Sequence, residues 1–213
     1  WWSCKTIIMN NRIPYNPSII EPKWQKKWKD SKIYNVDLDS KNKENYFSLT
    51  MFPYPSGDLH IGHWYAFTPA DSYSRFKKMK GFNVLHTQGF DAFGLPAENA
   101  AISRNINPMK WTFDNIENMR GQFNLMGNSY DWTRELITCT PEYYKWNQFF
   151  FLKMYEKGIA YRKNGAVWWD PIDQTTLANE QVVEGKSERS GADVVRKMMP
   201  QWYFKITDYA EEL

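Results

Sequence analysis

His60 and His63 stand three residues apart in the run Met51-Phe52-Pro53-Tyr54-Pro55-Ser56-Gly57-Asp58-Leu59-His60-Ile61-Gly62-His63. At the start of a helix that spacing puts both imidazoles on one face, beside backbone N–H groups that lack intrahelical partners. Such a place attracts anions. The helix dipole contributes about 0.3 to 1 kcal/mol per charge at an exposed terminus, and imidazole donors bond phosphoryl oxygens without carrying a permanent charge. Gly62 leaves room for a ring to lie against the backbone. Taken alone, an H-x-x-H pair also fits metal ligation or simple surface decoration. Asp91, in Gly89-Phe90-Asp91, adds a carboxylate. An acid facing a phosphate site needs a cation, and the ammonium group of an amino acid is one candidate; a loop-capping aspartate is the other reading.

Elements must bring these groups together. Tyr46 to Phe52 is rich in aromatic and β-branched residues and reads as a strand, which Pro53, Pro55 and Gly57 stop. Asp58 is expected to cap a helix from about Leu59, whose apolar residues Trp64, Phe67, Ala70, Tyr73 or Ser74, Phe76 and Met79 keep a helical period up to Gly81. Asn83-Val84-Leu85-His86 reads as a second strand. Right-handed crossover makes the two strands parallel, so the turn after Phe52 and the loop after His86 open on the same carboxyl edge, where ligands bind in such folds. Leu95-Pro96-Ala97-Glu98 opens a further helix, where Glu98 either complements the dipole or serves the site.

The residues Phe52 to Gly57 followed by His60-Ile61-Gly62-His63 resemble the nucleotide-binding signature of the class I aminoacyl-tRNA synthetases, in its bacterial leucyl version. The segments 89–102, 127–136, 168–182 and 200–207 follow in the order and spacing of that family, so the resemblance runs from about Tyr15 to the last residue. It implies an α/β fold: the first half of a Rossmann-like catalytic domain, a parallel sheet with helices, over 9–163, then a small hairpin-containing insertion module over 164–200 and the truncated start of a next segment over 201–213. It implies leucine activation with ATP and magnesium, followed by transfer to tRNA(Leu). His60 and His63 would then be catalytic. His60, Gly62, His63, Pro55 and Gly57 would bind ATP, and Met51, Phe52, Tyr54 and Asp91 would bind leucine. The partners implied are leucine, ATP and tRNA(Leu), for an intact protein that is a cytoplasmic monomer.

Two departures from the family stand out. Many of its members carry a small zinc module with a cysteine after the hairpin and a C-x-x-C further on; here those positions read Asp170, Ser187 and Ser190. Serine hydroxyls are poor zinc ligands and one aspartate cannot hold a tetrahedral site, so no structural zinc is expected and no metal site of the chain's own, magnesium arriving with the ATP. No lysine- and serine-rich KMSKS-like loop is present either, and the fragment alone is expected to be inactive.

Helical periodicity resumes with Ile116, Met119, Phe123 and Met126 behind an expected Thr112 cap, and Thr140-Pro141-Glu142 opens another helix that Gly158 stops. Its Trp146, Phe149 and Phe150 read as core, and Tyr130-Asp131-Trp132 with Arg134 as a structural corner. Ile159–Arg162 and Ala166–Trp169 are expected to pair as a hairpin around Lys163-Asn164-Gly165. Lys23, Lys26, Lys27 and Lys29 fall on a helix expected from Pro22, packed by Trp24 and Trp28.

Composition bounds the function. With 27 basic and 24 acidic side chains in 213 residues the net charge is only +3, which gives no broad electrostatic case for RNA binding. No run is apolar and long enough to span a bilayer. Cys4 and Cys139 imply no disulfide framework. Residues 1–8 match nothing in the family and read as a non-native leader before Met9. Two rivals to a ligase remain. One is a small-molecule nucleotidyltransferase, which shares H-x-G-H but needs no segment from 127 to 207; the other is a truncated, non-catalytic synthetase-derived chain that binds nucleotide or RNA.

Overall fold

Residues 14–212 are described by the computed structural model, so the expected leader at 1–8 lies outside them. Helix α1 (Pro17–Asp30) starts five residues before the expected Pro22, because the Asn16 side chain accepts the Ser18 N–H and Pro17 and Ser18 already fit the first turn. Trp28 packs against Tyr34 and the Arg75 guanidinium, while Trp24 remains 42% exposed.

Strand β1 (Asn45–Ser48), helix α2 (Ile61–Met79) and strand β2 (Asn83–His86) form the expected βαβ unit, with β1 and β2 parallel and Ser48 opposite His86. β1 is shorter than expected. Its partner is four residues long, so Leu49 to Phe52 find no ladder to join. Gly81 ends the unit's helix with φ +95°. A second parallel pair follows, strand β3 (Gly89–Phe90) with strand β4 (Leu136–Ile137), enclosing helix α3 (Leu95–Ser103) and helix α4 (Pro108–Met126). Thr112 does not cap α4: Asn107 does, accepting the N–H groups of Met109 and Lys110, and Thr112 is buried inside the helix. The expected parallel sheet is thus two short parallel pairs.

Their core is aromatic. Phe123, 1% exposed, touches Phe67, Phe90, Tyr130 and Trp132 with ring centroids 5.3 to 6.4 Å apart, and Ile116 and Met119 from the same face of α4 close the cluster. The expected α4 periodicity is therefore the one that is buried. Tyr130 and Asp131 are buried too, and Asp131 accepts the Val36 N–H at 2.9 Å and the Thr133 hydroxyl at 2.6 Å. This supports the corner as a piece of scaffold.

The described residues divide into two compact units, which part between Tyr143 and Tyr144. Helix α5 (Pro141–Glu156) crosses that division, and Gly158 follows it at φ +69°. No α5 residue is buried among the described residues: Trp146, Phe149 and Phe150 are 45 to 59% exposed, contrary to the core role expected of them.

Strand β5 (Ala160–Asp170) runs straight through the Asn164-Gly165 pair, so the expected hairpin is absent. Strand β6 (Thr175–Leu177) pairs with its end, strands β7 (Val182–Val183) and β8 (Lys186–Ser187) pair with each other, and strand β9 (Val195–Phe204) runs antiparallel along β5 from Ala160↔Phe204 to Trp169↔Val195. Ten residue pairs with β9 outweigh one local turn signal. Gly165 serves packing instead: a Cβ there would lie 1.9 Å from the Tyr203 hydroxyl oxygen. The boundary read at 163/164 falls inside this strand.

Candidate functional site

The two histidines begin α2 by capping it with each other. His60 is the N-cap, its Nδ1 accepting the Gly62 N–H at 3.1 Å, and His63 Nδ1 accepts the His60 N–H at 3.1 Å. Asp58, expected in that role, instead accepts from Asn118 and Gln122 on α4, and Gln122 in turn accepts the Leu59 N–H at 2.7 Å. The ring centroids of His60 and His63 are 4.0 Å apart.

This double cap fixes the tautomers. Each Nδ1 is used as an acceptor, so in the neutral ring the proton resides on Nε2, which is then a donor. Burial, and the neighbouring His60, hold the His63 pKa below its ordinary value. Two rings presenting Nε2–H donors at a helix N-terminus suit an anion whose charge rises during reaction. The closeness of the first ring to the backbone requires glycine at 62, since a Cβ there would lie 2.8 Å from His60 Cε1.

The two loops of the carboxyl edge are tied directly. The Asp91 N–H donates to Pro53 O at 3.0 Å, and the Phe52 ring lies against Gly89. Pro53 and Pro55 are buried, which makes the turn after Phe52 a rigid wall. Asp91 is half-buried, while Met51 and Tyr54 are 81% and 47% exposed and Gly57 is half-buried with open space around it. The structure thus brings together His60, Gly62 and His63 as one group and Phe52, Pro53 and Asp91 as another. Glu98, exposed in the first turn of α3, fits the dipole-complementing reading.

Several groups beneath this edge escape the sequence reading. His86, at the end of β2, is 2% exposed; its Nδ1 is 3.3 Å from Ser129 Oγ, whose hydroxyl donates to Asp71 Oδ1 at 2.6 Å. Burial lowers its pKa to about 4, Asp71 opposing and Arg75 assisting. Arg75 links Asp71, Tyr34 Oη and Gly127 O, joining α2 to both neighbours. Thr138, just after β4, bonds around Asp91. Only the Asp71–Arg75 pair, four residues apart on α2, is a local pattern; the other bonds of these groups join partners forty or more residues apart.

The positions where the family's zinc ligands were anticipated do come together, but as a hydrogen-bonded group. Asp170 is fully buried and accepts the Ser190 hydroxyl at 2.6 Å and the N–H groups of Ile172 and Asp173 at 2.8 and 3.1 Å. Ser187 Oγ accepts the Arg189 and Ser190 N–H groups, each at 3.3 Å. Burial pushes Asp170 upward, yet the hydrogen bonds from Ser190, Ser187 and the two backbone N–H groups outweigh it and bring its pKa down to about 2. One carboxylate and two hydroxyls are a poor donor set for zinc, and among the described residues no three His, Cys, Asp or Glu side chains are grouped to hold a metal.

Comparison with known proteins places this arrangement. The chain is 57% identical over 199 residues to a leucine–tRNA ligase of Deinococcus radiodurans and 58% identical over 199 residues to that of Thermosipho melanesiensis; each alignment takes in 93% of this chain and 24% of the relative. The chain thus spans about a quarter of the length of the curated relatives it matches. Among solved structures, the ternary complex of Agrobacterium radiobacter K84 agnB2 LeuRS, tRNA and LeuAMS superposes with a TM-score of 0.84 at 43% identity, covering 93% of this chain and 26% of that one. A Mycobacterium tuberculosis methionyl-tRNA synthetase shares the fold, with a TM-score of 0.66 at 21% identity over 79% of this chain and 34% of that one. The family described as tRNA synthetases class I (I, L, M and V) matches residues 23–213, and the chain belongs to it.

Proposed function

We propose that this chain is the amino-terminal part of a leucine–tRNA ligase, carrying the half of the active site that activates leucine with ATP before transfer to tRNA(Leu). The double-histidine cap at the start of α2 carries this reading: two Nε2–H donors at a dipole's positive end are suited to the phosphates of ATP, bound as its magnesium complex. Leucine carboxylate attacks the α-phosphate and pyrophosphate leaves. His60 and His63 stabilise the negative charge that grows on the phosphate oxygens, and Asp91 holds the leucine ammonium so that the carboxylate approaches in line. Gly62 admits the His60 ring, and Pro55 and Gly57 shape the turn before it. Met51, Phe52 and Tyr54 line the leucine side of the pocket. No nucleophilic side chain is needed, since transfer of this kind depends on positioning and charge stabilisation.

The relatives' high identity supports leucine over the other amino acids of the family. Leucine-dependent exchange of pyrophosphate into ATP tests the proposal in the complete protein that contains this chain. Replacing His60 and His63 together by alanine is expected to slow exchange by about a thousandfold, the scale of lost transition-state donors. Unchanged exchange in that variant overturns the assignment, and absence of exchange in the unsubstituted complete protein favours a nucleotide- or RNA-binding chain without catalysis.

A further inference from the structure

We infer that Thr138 is the positioning residue that aims the Asp91 carboxylate, which rests on the reading of Asp91 as the holder of the leucine ammonium. β3 and β4 are paired with Gly89 opposite Leu136 and Phe90 opposite Ile137, so the next residue on each strand, Asp91 and Thr138, leave the ladder side by side. Thr138 then binds the Asp91 segment at three points. Its N–H donates to Phe90 O at 3.1 Å, its Oγ1 accepts the Ala92 N–H at 2.8 Å, and its hydroxyl donates to Asp91 Oδ1 at 3.4 Å.

The order of those bonds gives them direction. A threonine hydroxyl has one proton to give. With one lone pair engaged by Ala92 N–H, that proton is free to point at Asp91. On the other side the Asp91 N–H is held by Pro53 O at 3.0 Å. The Asp91 backbone is therefore fixed from both flanks, and its side chain is fixed through one oxygen. An ionised carboxylate has about four acceptor sites, so one bond to Thr138 sets its orientation and leaves the rest for an ammonium. Thr138 is buried and Asp91 half-buried, which places the positioning group beneath the group that meets the substrate.

Valine has threonine's shape without the hydroxyl. In the complete protein, Thr138→Val is expected to raise the KM for leucine about tenfold, the effect of losing one hydrogen bond to a charged group, while kcat and the KM for ATP stay within about twofold. Thr138→Ser restores the leucine KM. Inhibition by 4-methylpentanoate, which is leucine without its amine, is unchanged in Thr138→Val, because it never uses Asp91; a general disturbance of the loop would weaken both. If Thr138→Val does not fold, Thr138→Ala provides the same comparison. An unchanged leucine KM, failure of Ser to rescue, or parallel loss of 4-methylpentanoate binding overturns the inference. Asp91→Ala separates the two levels: an unaffected leucine KM removes the Asp91 reading itself, whereas a raised KM there with none in Thr138→Val removes only the role of Thr138.

Discussion

His86 shows what one buried ring does to the whole protein's response to acid. It is the third of three histidines, and its Nε2 is buried beside the Tyr130 ring with no hydrogen-bond partner among the described residues. A proton added there would sit in an apolar wall. Because its folded-state pKa lies near 4, below the ordinary 6.5, the unfolded chain takes up the proton first. The ring's contribution to stability is complete above pH 6.5 and is lost as pH falls from 6.5 to about 4, in total about 3 kcal/mol. His63, whose pKa is also lowered, acts with the same sign. Denaturant midpoints measured across that window are expected to fall, and His86→Asn, an uncharged donor toward Ser129, is expected to remove most of the fall. A slope unaltered in the variant would assign the acid response elsewhere.

At the scale of elements, the loop that carries Asp91 depends on how closely β3 and β4 approach. Gly89 has no Cβ, and one built there would lie 2.6 Å from Leu136 O and 3.1 Å from the Phe52 ring. A backbone oxygen cannot swing aside as a side-chain tip can. Gly89→Ala is therefore expected to push the two strands apart, to destabilise the fold by about 2 kcal/mol, and to raise the leucine KM by displacing Asp91; circular-dichroism melting and exchange kinetics measure the two effects. The sequence reading passed over Gly89 as the residue before Phe90. What was legible were elements whose evidence is local: β2, the end of α2 at Gly81, the buried stripe of α4 and the start of α5 at Pro141. What was not legible came from distant partners. Asn164-Gly165 has the chemistry of a turn, yet β9 arrives thirty and more residues later and draws it into a strand. The caps of α1, α2 and α4 were missed for a different reason: several polar residues stand near each start, and only the chain's path chooses Asn16, His60 and Asn107. The place of the two histidines at the start of α2 was legible, but their use of one another as a cap was not.

At the scale of the molecule, each of the two units has its own means of cohesion. The first has the Phe123-centred core and the Arg75 hub. The second rests on the long β5–β9 ribbon, with Phe151 packed against Trp202 and Phe204, and on the group around Asp170. Asp170→Ala removes the acceptor for the hydrogen bonds of Ser190, Ile172 and Asp173 at once and is expected to lower the melting temperature by about 5 °C, read from tryptophan fluorescence. Elemental analysis of the purified protein is expected to give no stoichiometric zinc, and a chelator is expected to leave the melting temperature where it was; one zinc per chain would overturn the account of this group. No helix among the described residues is long and apolar enough to cross a membrane.

A buried carboxylate bonded to hydroxyl side chains also decides which stresses the fold can feel. Peroxide and hypochlorous acid attack sulfur, and a thiolate cluster that loses its electrons to them releases its ion and opens. Asp170, Ser187 and Ser190 contain nothing to oxidise. Cys139, the one cysteine among the described residues, belongs to the other unit and has its pKa raised by burial, which keeps it in the sluggish thiol form. The group around Asp170 should therefore hold together when chelator or oxidant is added, with an acid limit: once pH approaches 2 the Asp170 carboxylate takes up a proton, and the pin that neither chelator nor oxidant can draw is released by hydrogen ions alone.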